Sequence, residues 1–376
     1  MKRIAIFCDG TWNRMSAAEP TNVLLSAQLV LPADAADVAQ VTYYDEGVGT
    51  TGGRISTILA GAFGRGLLDK IEAAYRFLIF NYEPGDEIFI FGFSRGAYTA
   101  RSLAGLIRKC GIVPRTHAGK IRQIFEFYKD AATHPDSDEA QRRRMDLCPA
   151  IILKDADRDW RLEHGADPEL VAAAKPLIVR YVGVWDTVGA LGIPQHLPLV
   201  GLLTGKKYQF HDTDLSSTVR SARHAVAIDE TRLSFAPALW SNLETLNATT
   251  SGVDKYHQLW FPGDHGSVGG GGDIRGLSND ALAWIMEGAE AEGLALNDTA
   301  LATLKALSDP IAPLSNQTRP PGWVDRFLYW RGPRNGPQQK RMLSESTLAR
   351  LAYEGKGEGF KAYRPETLRA VWPRSH

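Results

Sequence analysis

Residues 86–105, DEIFIFGFSRGAYTARSLAG, constrain the fold more than any other stretch of the chain. DEIFIFGF is a short run rich in Ile and Phe, preceded by Pro84-Gly85, with the pattern of a strand buried in a sheet. Directly after it, Ala97, Ala100, Leu103, Ala104 and Ile107 recur at helical spacing, and Gly111 supplies a stop signal. The two elements are joined through Gly92-Phe93-Ser94-Arg95-Gly96, a G-x-S-x-G. In a nucleophile elbow the serine sits on a sharp strand-to-helix turn under backbone strain. Small flanking residues let neighbouring chain pass close, and Oγ stands above the sheet. The helix start behind it offers N–H groups and a positive dipole end where an oxyanion would form. Ser94 is therefore the candidate nucleophile. The plainer alternative is a tight βα turn that needs glycines and carries an idle serine.

The rest of the chain supplies a sheet for this turn. Lys2–Cys8 reads as a central strand running into Asp9-Gly10-Thr11-Trp12-Asn13, a loop of the kind in which α/β proteins place ligands. Thr21 is placed to cap a helix reaching about Leu31, and Ala39–Tyr44 reads as a second strand. Leu67–Tyr82 is an amphipathic helix, and the elbow strand follows it. This strand–helix–strand succession predicts a mostly parallel sheet with right-handed crossovers. Further strands are expected at Leu177–Trp185 and Tyr256–Phe261, with helices at Ser216–Asp229 (carrying His224), Ser278–Ala291 and Thr299–Leu307. Residues 115–176 read as a helical insertion, either a cap or lid over the sheet or an ordinary solvated excursion. Residues 309–376 read as an extended wrap with a short helix near Ser344–Tyr353. One α/β domain over 1–376 is expected.

Bulk composition excludes some classes. Lys+Arg and Asp+Glu each number 43, so the net charge is zero and nucleic acid is not an expected partner. No stretch approaches the roughly 20 apolar residues that span a bilayer. The apolar run at the amino end, Ile4 to Cys8, is too short for a signal-peptide core and is closed by Asp9. Cys8, Cys110 and Cys148 are widely spaced, which argues against a disulfide framework or a zinc site. A cytoplasmic location is expected, with secretion independent of a signal peptide left open. The spacing does not determine an oligomeric state.

Three residues follow predicted strands in the order Ser94, Asp186, His265. A serine hydroxyl is a weak nucleophile until an imidazole takes its proton, and a carboxylate on the other ring nitrogen fixes the imidazole's tautomer. Asp229 and Asp214 compete for the acid role, and His224 and His257 for the base. Two oxyanion donors are needed. The N–H of Arg95 is the first, and Gly10-Thr11 the nearest source of the second, with Asp9 and Asn13 bracing their loop. Two such donors would contribute on the order of 3 kcal/mol each to the transition state. No metal or cofactor is required, although Asp9, Asp264 and His265 could be assembled around an ion. Gly47–Gly52 is a literal G-x-G-x-x-G that raises a nucleotide site as an alternative. Glycines running on through Gly53, Gly61, Gly64 and Gly66 favour a loop beside the site. The proline-punctuated loop Leu191–Leu203 could line an acyl pocket, touch lipid, or be buried packing.

Five ordered motifs carry a resemblance: Phe7–Asn13, Tyr43–Thr50, Gly92–Ala97, Val184–Gly189 and Trp260–His265. The chain resembles the α/β-hydrolase family that includes the catalytic domain of type VI secretion phospholipase effectors. The likeness runs from Phe7 to about Gly272, and Ser344–Leu368 is similar as well. It implies an α/β-hydrolase-like fold and a Ser-Asp-His esterase of phospholipase A type, acting on a small ester or a lipid with peripheral membrane contact. Where the family often carries an acid two positions after the histidine, this chain has Ser267. No counterpart of the effectors' extra membrane-binding module is expected. A non-catalytic scaffold that keeps the elbow is the remaining alternative.

Overall fold

Period-two alternation decides which layer each strand side chain enters. A computed structural model describes residues 1–10, 13–47, 60–189, 214–318, 330–355 and 361–373. Its strands are β1 (Arg3–Cys8), β2 (Gln40–Asp45), β3 (Glu87–Phe93), the two-residue β4 (Ile151–Ile152) and β5 (Lys175–Pro176), β6 (Ile178–Trp185), β7 (Val219–Ala227) and β8 (Tyr256–Phe261). In β3, Ile88 and Ile90 join one core layer with Ile4 and Ile6 of β1 and with Ile71, Leu78 and Leu103 from helices. Phe89, Phe91 and Phe93 join the opposite layer with Phe7, Tyr181, Trp185 and the apolar face of the helix Gly276–Ala291. A strand buried on both faces has to be apolar throughout, which is why EIFIFGF carries no polar residue after Glu87.

The main sheet has the order β2-β1-β3-β6-β7-β8, and every pairing in it is parallel. From β1 the chain moves outward to β2, then crosses back to place β3 on the other side of β1. Connections therefore diverge at the carboxyl ends of β1 and β3, the crevice where open α/β sheets place their sites. Asp9 leaves one of these strands and Ser94 the other.

Ser216–Asp229 is not a helix. Its core is β7, paired with β6 through Trp185–Ala225 and with β8 through Ala227–Phe261. Val219, Ala222 and Ala225 lie three apart and imitate a helical face, and three alanines favour a helix locally. Burial between two strands overrides that preference.

Residues 115–176 form the helices Ile121–Lys129, Asp138–Leu147, Ala156–Glu163 and Pro168–Ala173, together with the β4–β5 pair. Ile124, Phe125 and Phe127 anchor this excursion to the Ile88 layer. The carboxy-terminal segment packs Leu343, Leu351, Leu368 and Val371 against Val226 and Trp260. Its helix Glu345–Ala352 is capped by Ser344, whose side chain accepts from the N–H of Thr347. Among the described residues no helix is long and apolar enough to cross a membrane. The Leu191–Leu203 loop, and Val48–Gly53 of the glycine loop, lie outside the described residues, whereas Gly61, Gly64 and Gly66, read as a continuation of that loop, belong to the helix Ala60–Asn81.

Candidate active site

Ser94 closes β3 with φ 59° and ψ −121°, a conformation that costs a non-glycine residue about 1–3 kcal/mol. The surroundings hold it there. Its N–H donates to the Trp185 carbonyl at 3.0 Å, extending the β3–β6 ladder one residue past the strand. The helix Arg95–Cys110 begins at the next residue. Gly92 and Gly96 make the turn feasible. A Cβ on Gly92 would lie 2.4 Å from the Gly96 carbonyl oxygen, and one on Gly96 would lie 2.1 Å from that of Cys8.

Asp186 follows β6 and is also left-handed, with φ 37°. Its N–H donates to the Ala225 carbonyl at 2.7 Å. His265 follows β8 and opens a short helix, His265–Gly269, that Asp264 caps by accepting from the Ser267 N–H at 2.9 Å. Three strand ends thus deliver the three predicted side chains to one place. Ser94 Oγ is 2.8 Å from His265 Nε2, and His265 Nδ1 is 2.5 Å from Asp186 Oδ2. The Phe93 and Phe235 rings flank the imidazole, with centroids 4.6 and 5.0 Å away. All three residues are buried; Ser94 and His265 line a cleft of about 710 Å³ whose walls include Gly10, Asn13, Glu230, Arg232 and Asn316, while Asp186 is not among the lining residues.

Asp186 is fully buried, which by itself would raise its proton affinity. The Arg334 guanidinium and the His265 hydrogen bond outweigh that burial and hold the carboxyl well below the usual range. Arg334 Nη1 donates to Oδ1 at 2.6 Å and Nη2 to Oδ2 at 2.9 Å, while the Ala227 N–H donates to Oδ1 at 2.9 Å. An ionised carboxylate only accepts, so the ring proton sits on Nδ1 and the Nε2 lone pair faces the serine hydroxyl. Arg334 was not among the residues picked out by sequence reasoning. It belongs to no motif and lies 148 positions from Asp186.

The competing residues have other partners. His224 accepts the Thr187 N–H on Nε2 at 3.2 Å and donates from Nδ1 to Gln258 Oε1 at 3.0 Å. Burial pushes it down to about 3, so it is a neutral prop for the loop after β6. His257 Nε2 meets the Asp254 carbonyl. Asp229 accepts from the Gly263 N–H at 2.7 Å and the Tyr363 hydroxyl at 2.6 Å, bracing the turn before His265. Asp214 accepts from the Ser241 hydroxyl.

The first loop departs from expectation at one donor. Asp9 is buried and accepts from the Gly10 N–H at 2.6 Å, Asn13 Nδ2 at 3.1 Å, Thr21 Oγ1 at 2.6 Å and the Tyr44 hydroxyl at 2.7 Å. The bracing role read for Asp9 and Asn13 has this geometry. However, the Gly10 N–H is already engaged by Asp9 and in this arrangement does not serve as an oxyanion donor. Thr11 lies outside the described residues. Arg95 opens the helix behind Ser94, in the first turn, whose N–H groups have no acceptor within an α-helix. Among the described residues, no three His, Cys, Asp or Glu side chains are grouped to hold a metal.

Residues 2–288 match the family described as T6SS, Phospholipase effector Tle1-like, catalytic domain. The chain belongs to this family. The uncharacterized protein YEL023C of Saccharomyces cerevisiae is 26% identical to this chain over 247 residues, which are 62% of this chain and 32% of that protein. An uncharacterized protein from Pseudomonas aeruginosa, solved by crystallography, aligns at TM-score 0.44 and 16% identity, covering 82% of this chain and 49% of that one. The Tle1 effector, solved bound to the VgrG spike of the type 6 secretion system, aligns at TM-score 0.38 and 19% identity, covering 72% of this chain and 51% of that one. This Tle1-like chain spans about a third of the curated relative's length and about half of each solved chain. Arg334 lies beyond the residues matched to the family.

Proposed function

We propose that the chain hydrolyses carboxylic esters, among them the acyl esters of phospholipids, through an acyl-enzyme on Ser94. The observation that carries this reading is the unbroken relay from Ser94 Oγ through the His265 ring to Asp186, held on a strained turn above the sheet. Membership of the Tle1-like family supports the lipid ester class.

In the proposed reaction, Oγ attacks the ester carbonyl carbon while His265 Nε2 takes the hydroxyl proton. The resulting imidazolium donates its Nδ1–H to Asp186, whose carboxylate stabilises it without taking the proton. Negative charge on the carbonyl oxygen develops beside the N-terminus of the helix Arg95–Cys110, where the Arg95 N–H and the helix dipole favour an anion. Collapse of the tetrahedral intermediate breaks the bond to the alcohol, and Nε2–H protonates the departing alkoxide. Water then adds to the acyl-enzyme through the same imidazole, releasing the acid and restoring Ser94. The test is hydrolysis of p-nitrophenyl esters of graded chain length and of phosphatidylcholine vesicles by wild type and Ser94→Ala. The variant should lose about 10⁴-fold or more in kcat. Undiminished turnover by Ser94→Ala would refute the reading.

A further inference from the structure

We propose that Arg334, from the carboxy-terminal segment, is a positioning residue that completes this site by clamping Asp186 in the orientation His265 requires. The inference rests on the hydrolase reading and extends it to a part of the chain outside the family match.

Geometry carries the assignment. The guanidinium meets both carboxylate oxygens, Nη1 to Oδ1 at 2.6 Å and Nη2 to Oδ2 at 2.9 Å, in the planar two-point contact that arginine makes and lysine cannot. The same two nitrogens donate to the Ala227 carbonyl at 2.8 Å and the Phe235 carbonyl at 2.6 Å. Arg334 is thereby tied to the end of β7 and to the residue whose ring packs edge-on against His265. With Oδ1 occupied by Nη1 and the Ala227 N–H, Oδ2 is left to accept the Nδ1–H of His265. The segment is fixed by a short antiparallel pairing. The Leu233 N–H donates to the Trp330 carbonyl at 2.9 Å, and the Gly332 N–H to the Thr231 carbonyl at 2.8 Å. Asp186 and Arg334 are both buried, so neither charge is relieved by solvent, and each requires the other.

The second consequence is electrostatic. Asp186 is faced by His265, Arg334 and the neutral His224. His265 is faced by Asp186, by Glu230 (itself paired with Arg232), and by its neighbour Asp264. Among the described residues, Arg334 is the cation paired directly with Asp186 of this His265–Asp186 couple. Removing it raises the pair's affinity for a proton, so the rate should begin to fall at a higher pH on the acid side. A residue that served only to hold the fold would not move that limb.

The experiment compares wild type, Arg334→Lys and Arg334→Gln by kcat and KM for a short p-nitrophenyl ester from pH 4 to 9, with thermal melts to establish folding. Arg334→Gln should lower kcat about 10–100-fold with little change in KM. Its acid limb should move up by about one unit or more. Arg334→Lys, which keeps the charge and loses the two-point contact, should hold the wild-type limb while still lowering kcat. If Arg334→Gln does not fold, Arg334→Lys decides alone: wild-type kcat in that variant overturns the clamp. Wild-type kcat and limb in a folded Arg334→Gln overturn the whole inference. Absence of any Ser94-dependent hydrolysis in the wild type would instead refute the hydrolase reading on which it rests.

Discussion

Gly96 packs its α-carbon directly against the Cys8 backbone, so close that a Cβ there would lie 2.1 Å from the Cys8 carbonyl oxygen and 2.4 Å from that of Asp9. The elbow helix and the end of β1 share this contact, which also sets where the Asp9 loop stands relative to Ser94. Gly96→Ala should destabilise the fold by about 1–3 kcal/mol, since backbone rather than a flexible side chain must give way. Activity should fall further than stability alone explains, because the displaced elements are the two that frame the serine. Chemical denaturation and ester turnover on one sample would test both parts.

Asp186→Asn keeps the shape of the side chain and removes its charge. The amide can present an N–H to His265 Nδ1, which reverses the ring tautomer and puts a hydrogen where Ser94 needs a lone pair. We expect kcat to fall on the order of 10⁴-fold with the fold retained but weakened, since Arg334 then has a buried charge without its counter-ion. Steady-state kinetics and a melting curve would check this.

His224 predicts a particular pH dependence of stability. The folded state pushes it down to about 3, against an ordinary value of about 6.5. Between those values the unfolded chain binds a proton that the folded chain does not, so stability rises with pH across the window and is lost as pH falls through it. One such group contributes a slope of about 1.4 kcal/mol per pH unit. His224→Gln should flatten the stability profile between about pH 3 and 6.5 relative to wild type. The comparison cancels the contributions of the buried carboxylates Asp186, Asp229 and Asp9. Denaturation at a series of pH values measures it.

Thr21 performs two tasks with one hydroxyl. It accepts from the Leu24 N–H at 3.2 Å, capping the helix Asn22–Leu29, and donates to Asp9 Oδ2 at 2.6 Å. Thr21→Ala should cost about 1–2 kcal/mol, and Thr21→Ser far less, because serine retains both bonds. Urea unfolding midpoints of the two variants would separate them.

The site was legible where a residue type and a strand end coincide. Ser94 and Asp186 directly follow largely apolar runs, and His265 comes a Pro-Gly-Asp turn after Leu259-Trp260-Phe261, patterns that are local. β7 was not legible, because Val219, Ala222 and Ala225 present a helical spacing and only pairing with β6 and β8 decides the matter. Arg334 left no signal at all: a basic residue between Pro333 and Asn335 looks like any solvated arginine until the tail folds back to β7. The engaged Gly10 N–H was hidden for a similar reason. It depends on which way the Asp9 carboxylate turns, and this is set by Thr21 and Tyr44 from outside the motif.

The most direct test of the account is the mass of the intact protein after incubation with a fluorophosphonate, followed by mapping of the adduct. One adduct per chain is expected, on the peptide containing Ser94, formed by wild type and absent from Ser94→Ala. A protein that stays unmodified, or that is labelled elsewhere and equally well in Ser94→Ala, would contradict it.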